Sequence, residues 1–233
     1  MLLIKSIYST VLDAIFPISK EEQEALSLRP EVAWNTLPRA KNFSTREACS
    51  VFSYKEERMR KLVWALKYKK SRQAAAIGGY ALFRMLRIYA EATRPILVIP
   101  MPITRQRRRE RGFNQCELLT EEIKTLADQS NLSEYIQISD DLLVRARHKS
   151  RQTMKDRSER IESAQELFKV DESKNKNENK NKNGNGNGNK EMQKDCLVIV
   201  IDDVITTGST MKGAVTAMRA AGYSRTFGLS LAH

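Results

Sequence analysis

The chain is poor in the residues on which most metal and covalent chemistries depend. Among its 233 residues are only two histidines, His148 and His233, and three cysteines, Cys49, Cys116 and Cys196. The cysteines are widely separated and form no CxxC pair. That argues against a disulfide framework and a thiolate zinc site, and fits a reducing, cytoplasmic setting. Both histidines stand alone and are expected at the surface. No Cys/His cluster and no Ser-His-Asp order suggests nucleophilic catalysis. Long apolar runs are also missing, so no membrane insertion is expected. The opening residues, MLLIKSIYSTVLDAIFP, carry Lys5 and Asp13 and lack a small-residue cleavage site, so no signal peptide is expected either.

What the chain has in excess is positive charge. Forty Lys and Arg against 28 Asp and Glu give a formal net charge of +12. Such a balance favours phosphorylated substrates, nucleic acid, or both. The length suits one main domain with appendages.

Leu197–Thr210, reading LVIVIDDVITTGST, is the stretch around which the rest is arranged. Its aliphatic run predicts a buried parallel strand. Two carboxylates follow, Asp202 and Asp203, then a polar turn, Thr206, Thr207, Gly208, Ser209 and Thr210, that opens into an amphipathic helix. Amides at a helix start have no intrahelical partner and sit at the positive end of the dipole, which favours an anion. The hydroxyls add donors, and Gly208 lets a ligand approach the backbone. The acidic pair suits donating hydroxyls or a magnesium ion. A sugar phosphate with a diol satisfies both halves. This pattern resembles the ribose-phosphate signature of type I phosphoribosyltransferases.

Along the chain, Ile4–Phe16 predicts a short helix, and Ser19–Asn42 irregular structure with one helical turn, broken by Pro30 and Pro38. Lys55–Ala92 is strongly helical by periodicity, with a break expected at Gly78-Gly79. Pro95–Met101 reads as a second buried strand, followed by a basic loop and a helix over Gln115–Ala127. Asp141–Arg145 and Glu166–Val170 read as two further strands, and Thr226–Ala232 as an apolar strand after a helix ending at Gly222. Strands alternating with helices predict an α/β fold with a mainly parallel central sheet. Ser173–Lys190, SKNKNENKNKNGNGNGNK, has no large apolar residue. With its flank it is expected to be a disordered Lys/Asn/Gly-rich insertion at 173–193.

The segment PMPITRQRRRERGFNQ crowds Arg105, Arg107, Arg108, Arg109 and Arg111 into one short stretch beyond a strand. Arginine forks suit pyrophosphate oxygens, and equally a nucleic-acid patch or a solvated loop. Pro100, Pro102 and Arg111-Gly112-Phe113-Asn114-Gln115 resemble the Pro-x-Pro and Arg-Gly-Phe-Asn-Gln pattern of the ComF family, whose GntX-type members carry a phosphoribosyltransferase domain. Tyr54–Tyr68 is similar to that family's tyrosine-led helix ending in Leu-Lys-Tyr. Leu143–Phe168 is similar to its arginine–glutamine hairpin, through Arg145, Arg147, Gln152, Arg160 and Phe168. Two departures stand out: the region 1–48 lacks the family's zinc-binding cysteines, and Ser163 stands where asparagine is usual.

The resemblance implies a type I phosphoribosyltransferase fold over 49–233 with a flexible hairpin or lid. It implies 5-phosphoribosyl-1-pyrophosphate as ligand, Mg2+ bound mainly through that substrate, and transfer to an unidentified base or amine. Thr206 to Thr210 would hold the 5-phosphate. Asp202 and Asp203 would meet the ribose hydroxyls. Arg105, Arg111, Gly112 and Asn114 would face pyrophosphate. Asp202, Asp203 and Arg111 would carry catalysis, with Arg145, Arg147 and Gln152 as lid residues. The family's link to DNA uptake leaves room for single-stranded DNA, competence proteins and a second copy of the chain as partners.

Overall fold

The alternation of apolar runs with amphipathic stretches appears as strands and helices in turn. The computed structural model describes residues 19–41, 47–90, 95–146, 167–171, 173 and 196–233. Helices α1 (Lys20–Ser27) and α2 (Pro30–Thr36) precede strand β1 (Ala48–Phe52). Helices α3 (Glu57–Tyr68) and α4 (Arg72–Ala90) lead to β2 (Ile96–Pro100). Next come α5 (Arg105–Arg111), α6 (Gln115–Gln129) and β3 (Ile136–Ile138), then the short β4 (Leu143–Arg145) and β5 (Phe168–Val170). Strand β6 (Leu197–Val204), α7 (Ser209–Ala220) and β7 (Thr226–Ala232) complete the described elements.

The expected α/β class and parallel sheet are found. Five strands pair in the order β1-β7-β6-β2-β3, every pairing parallel. Strands β4 and β5 form a separate antiparallel pair. Strand β6 sits at the centre and is covered on both faces, as its unbroken aliphatic run requires. Ile199 and Ile201 join one core with Leu66, Leu82 and Leu119, while Val198 and Val200 join the other with Met211, Met218 and Tyr223. The chain leaves β2 through α6 toward β3 and leaves β6 through α7 toward β7, in opposite directions across the sheet. The carboxyl ends of β2 and β6 therefore flank a switch point, where α/β sheets open a crevice.

Several expectations are corrected. Ser19–Asn42 is not irregular but holds α1 and α2. The Ser19 hydroxyl accepts from the Glu22 amide and caps α1, and Pro30 occupies the first turn of α2. Proline is favoured there because its missing N–H would have no partner. Gly78 and Gly79 do not break a helix; the break falls at Lys69–Ser71, with Lys70 at φ 52°. Both glycines lie inside α4 because α6 and β7 pack too closely for a side chain. A Cβ on Gly78 would sit 2.6 Å from Leu119 Cδ2 and 2.9 Å from Leu231 Cδ2. The basic loop is helical over α5, capped by Thr104, whose hydroxyl accepts from the Arg107 amide. Strands β1 and β3 were not expected, and the hairpin strands are shorter than expected.

Helices α1 and α2 are not a separate unit. Ala25, Ala33 and Leu37 are buried in the core that α3 and α4 share. Lys69, after α3, reaches Glu22 of α1 at 3.1 Å. The Arg39 guanidinium lies 3.7 Å from the Trp34 ring centroid and closes this corner over Phe52. Among the described residues no helix is long and apolar enough to cross a membrane. The expected helix at Ile4–Phe16, His148, nearly all of the Lys/Asn/Gly-rich insertion and the charged segment between β4 and β5 lie outside the described residues.

Candidate functional site

Side-chain alternation along β6 sends its two carboxylates to different faces. Asp203 shares parity with Ile199 and Ile201, on the side of α3 and α6, and Asp202 shares parity with Val198 and Val200. Asp203 is buried, and its Oδ2 receives the Lys67 ammonium of α3 at 2.7 Å. Gln115, at the start of α6, donates from Nε2 to its Oδ1 at 3.4 Å. Asp202 is half-buried; its Oδ1 accepts from the Asp203 amide at 2.9 Å and from the Cys116 thiol at 3.5 Å.

Burial, followed by the Asp203 charge next to it, pushes the Asp202 carboxyl well above the usual carboxylate range. Burial and the two carboxylates push the Cys116 thiol well up, so it is inert as a nucleophile. Burial works against the Lys67 ammonium, but Asp203 with its hydrogen bond, then Tyr54 and Asp202, outweighs it and leaves the pKa raised. Lys67 therefore neutralises Asp203, while burial and that neighbouring charge hold the Asp202 carboxyl toward its neutral form.

Beyond β6 the chain turns through Thr206, Thr207 and Gly208 into α7. Gly208 caps the helix at φ 78°, a left-handed conformation that a Cβ would strain by about 1–2 kcal/mol. The cap has no side chain, so no side-chain oxygen at the cap position accepts from the first amides of α7. The Thr207 and Ser209 hydroxyls lie 3.1 Å apart at the same turn. The helix is held at its far end by Gly222, at φ 96°, and by Tyr223, whose amide donates to the Met218 carbonyl.

A cavity of about 420 Å3 joins these parts. Asp202, Asp203, Thr206, Thr207, Gly208 and Thr210 line one wall; Lys67, Tyr68, Arg107, Arg111 and Arg145 supply the cations and ring of the other. The Arg111 guanidinium is 5.2 Å from the Tyr68 ring centroid and donates to Gln115 Oε1 at 2.9 Å. Arg145, ending β4, lies 5.1 Å from the Phe168 ring centroid. Burial, then the neighbouring Arg107 charge, lowers its pKa.

The structure thus brings together most of the sequence-predicted residues. Arg105, Gly112, Asn114 and Ser209 do not line the cavity. Asn114 is fully occupied as a structural residue. It is buried, its Oδ1 accepts from the Cys116 amide to cap α6, and its Nδ2 donates to the Met101 carbonyl. Gly112 ends α5, and Arg105 is exposed. Arg147 and Gln152 lie outside the described residues. Four participants escaped the site prediction: Tyr54, Lys67, Tyr68 and Gln115. Lys67 and Tyr54 stand in the tyrosine-led helix segment, but nothing in their spacing shows that α3 crosses the end of β6. His233 is not a lone surface residue, because its ring nitrogen Nδ1 lies 2.8 Å from the Ile205 carbonyl and ties the end of β7 to that of β6.

No model of a known protein family matches the chain, and no curated protein matches it in sequence.

Proposed function

We propose that the chain is a phosphoribosyltransferase of the type I fold, related to the ComF family and acting in the cytoplasm. It would bind 5-phosphoribosyl-1-pyrophosphate and pass the ribosyl phosphate to a base or amine. One observation carries this reading. The amide-rich start of α7, the half-buried Asp202 and the arginines after β2 line a single cavity at the switch point of the sheet. An anion site, a diol acceptor and a second anion site in that order match the two ends and middle of the ligand.

In this reading the Thr206–Thr210 turn holds the 5-phosphate. Asp202 accepts hydrogen bonds from the ribose hydroxyls, its raised pKa relieved as those donors arrive. Arg111 and Arg107 face the pyrophosphate. Asp203 positions rather than binds, since Lys67 already engages it. Magnesium fits only in company with the substrate. Cys116, Asp202 and Asp203 place ligand atoms within 4.8 Å of one another, but a thiol and a lysine-paired carboxylate suit a hard oxygen-seeking ion poorly. Bound to pyrophosphate, it would supply neutralisation of leaving-group charge. In the transfer, the bond from the anomeric carbon to pyrophosphate breaks with its electron pair on pyrophosphate. A bond to the acceptor nitrogen forms, and that nitrogen's proton passes to solvent. The protein's part is positioning and charge stabilisation.

Calorimetric titration of the sugar pyrophosphate with magnesium tests the reading. Native protein should bind, Asp202→Asn should bind at least ten-fold more weakly, and equal affinities would overturn the site assignment. A competence role through single-stranded DNA is a second reading, favoured by α5, whose cations Arg105, Arg107, Arg108, Arg109 and Arg111 are all at least partly exposed. It requires affinity that falls steeply with salt; a flat response removes it.

A further inference from the structure

A second cavity, of about 890 Å3, adjoins the first. Tyr54, Val204, Ile205 and Thr206 line both. Its character is different. The floor is apolar, from Pro38, Tyr54, Val204 and Ile205, with the backbone there pinned by the Tyr54 amide donating to the His233 carbonyl at 2.8 Å. The rim carries four cations, Arg39, Lys41, Lys55 and Arg60, and one carboxylate, Glu56. Glu56 is already spent, since Arg58 Nε meets its Oε1 at 2.7 Å. Arg39 is fixed by the Trp34 ring and by donating from Nη2 to the Trp34 carbonyl at 2.9 Å. Arg60 is steadied by donating to the Lys55 carbonyl at 3.1 Å.

A mainly apolar lining that includes the Tyr54 ring, with four cations around it and one ion-paired carboxylate, suits a ring that carries a negative charge. A neutral ring would bury its faces there and leave the cations unmatched. We infer that this second cavity is an acceptor subsite for a small planar acid, an aromatic or heterocyclic carboxylate whose ring or amino nitrogen is the nucleophile. The inference rests on the transferase reading for the word acceptor. The acid selectivity rests on the cavity alone.

The probes are matched pairs that differ in charge: nicotinate with nicotinamide, benzoate with benzamide, anthranilate with its amide. Each is titrated into native protein and into Lys41→Glu/Lys55→Glu, whose two side chains are exposed and outside the first cavity. At least one acid should bind about ten-fold or more tightly than its amide, and the charge-reversed variant should remove that preference. The variant should keep its affinity for 5-phosphoribosyl-1-pyrophosphate within two-fold, which also shows that it folds. Acid and sugar pyrophosphate should bind together, with pyrophosphate released only when both are present. Equal binding of acids and amides, a preference that survives charge reversal, or displacement of the acid by the sugar pyrophosphate would each overturn the inference. So would a single-stranded oligonucleotide that outcompetes every acid and loses affinity in the same variant. Failure of the native protein to bind the sugar pyrophosphate while the acid preference stands would overturn the transferase reading instead.

Discussion

At the scale of single residues, the site turns on the contrast between two adjacent carboxylates. Asp203 is inside and paired with Lys67; Asp202 is half inside and accepts from the Asp203 amide and the Cys116 thiol. Lys67→Met would leave the Asp203 charge buried without its counter-ion, and should cost about 3 kcal/mol in urea unfolding. Adding Asp203→Asn to that variant should recover most of the loss, and no recovery would mean that Lys67 acts by packing. Asp202 makes a pH prediction with a definite sign. Its folded pKa is raised above the unfolded value, so the stability it contributes is full below the ordinary carboxylate range and fades as pH rises through the raised pKa. Asp202→Asn mimics the protonated form. Measured against it, the native protein should lose melting temperature as pH rises from about 4, and a constant difference would refute the raised pKa. Arg111→Met should weaken sugar-pyrophosphate binding about ten-fold, whereas Arg105→Met, at an exposed position outside the cavity, should change it less than two-fold.

At the scale of elements, position in the fold overrides local punctuation. Gly78 and Gly79 look like a hinge when only the chain neighbours are considered. In the structure they are the contact surface of α4, where Leu119 of α6 and Leu231 of β7 come within reach of any added Cβ. Gly78→Ala gains helix propensity but forces those leucines apart, so a net loss of about 1–2 kcal/mol is expected in urea unfolding. A stabilised variant would show that the leucines rotate away freely. Helix α5 teaches the same lesson in reverse. A run of arginines repels itself and reads as a loop, yet Thr104 caps its start, Arg108 pairs with Glu117 of α6, and Arg111 leans on Tyr68. Glu117 and Tyr68 come from α6 and α3, so no window within α5 contains them.

At the scale of the whole molecule, β6 is the shared wall of two cores, and the site stands at its carboxyl end. Both tryptophans, Trp34 and Trp64, lie on α2 and α3, outside the core that Met218 occupies on the other face. Met218→Ala should cost about 2–5 kcal/mol, and tryptophan fluorescence and circular dichroism should shift together to one new midpoint. Separate midpoints would mean that the faces unfold independently. Much of this architecture was readable from the chain itself. Period and run length identified β2, β6, β7, α6 and α7, because a strand buried on both faces and an amphipathic helix each impose a pattern along contiguous residues. Adjacent residues likewise pointed to Asp202, Asp203 and the Thr206–Thr210 turn, because a strand end and the helix start after it are built from one short segment. Strands β1 and β3 were hidden, since three to five residues of mixed polarity carry too little pattern and depend on sheet partners for their pairing. Only the tertiary structure decided that Lys67 neutralises Asp203, that Asn114 caps a helix from a buried position, and that a cation-rimmed cavity adjoins the Thr206–Thr210 turn. Each depends on groups far apart in sequence meeting at a few ångströms, where charge pairing and desolvation act through space and not along the chain.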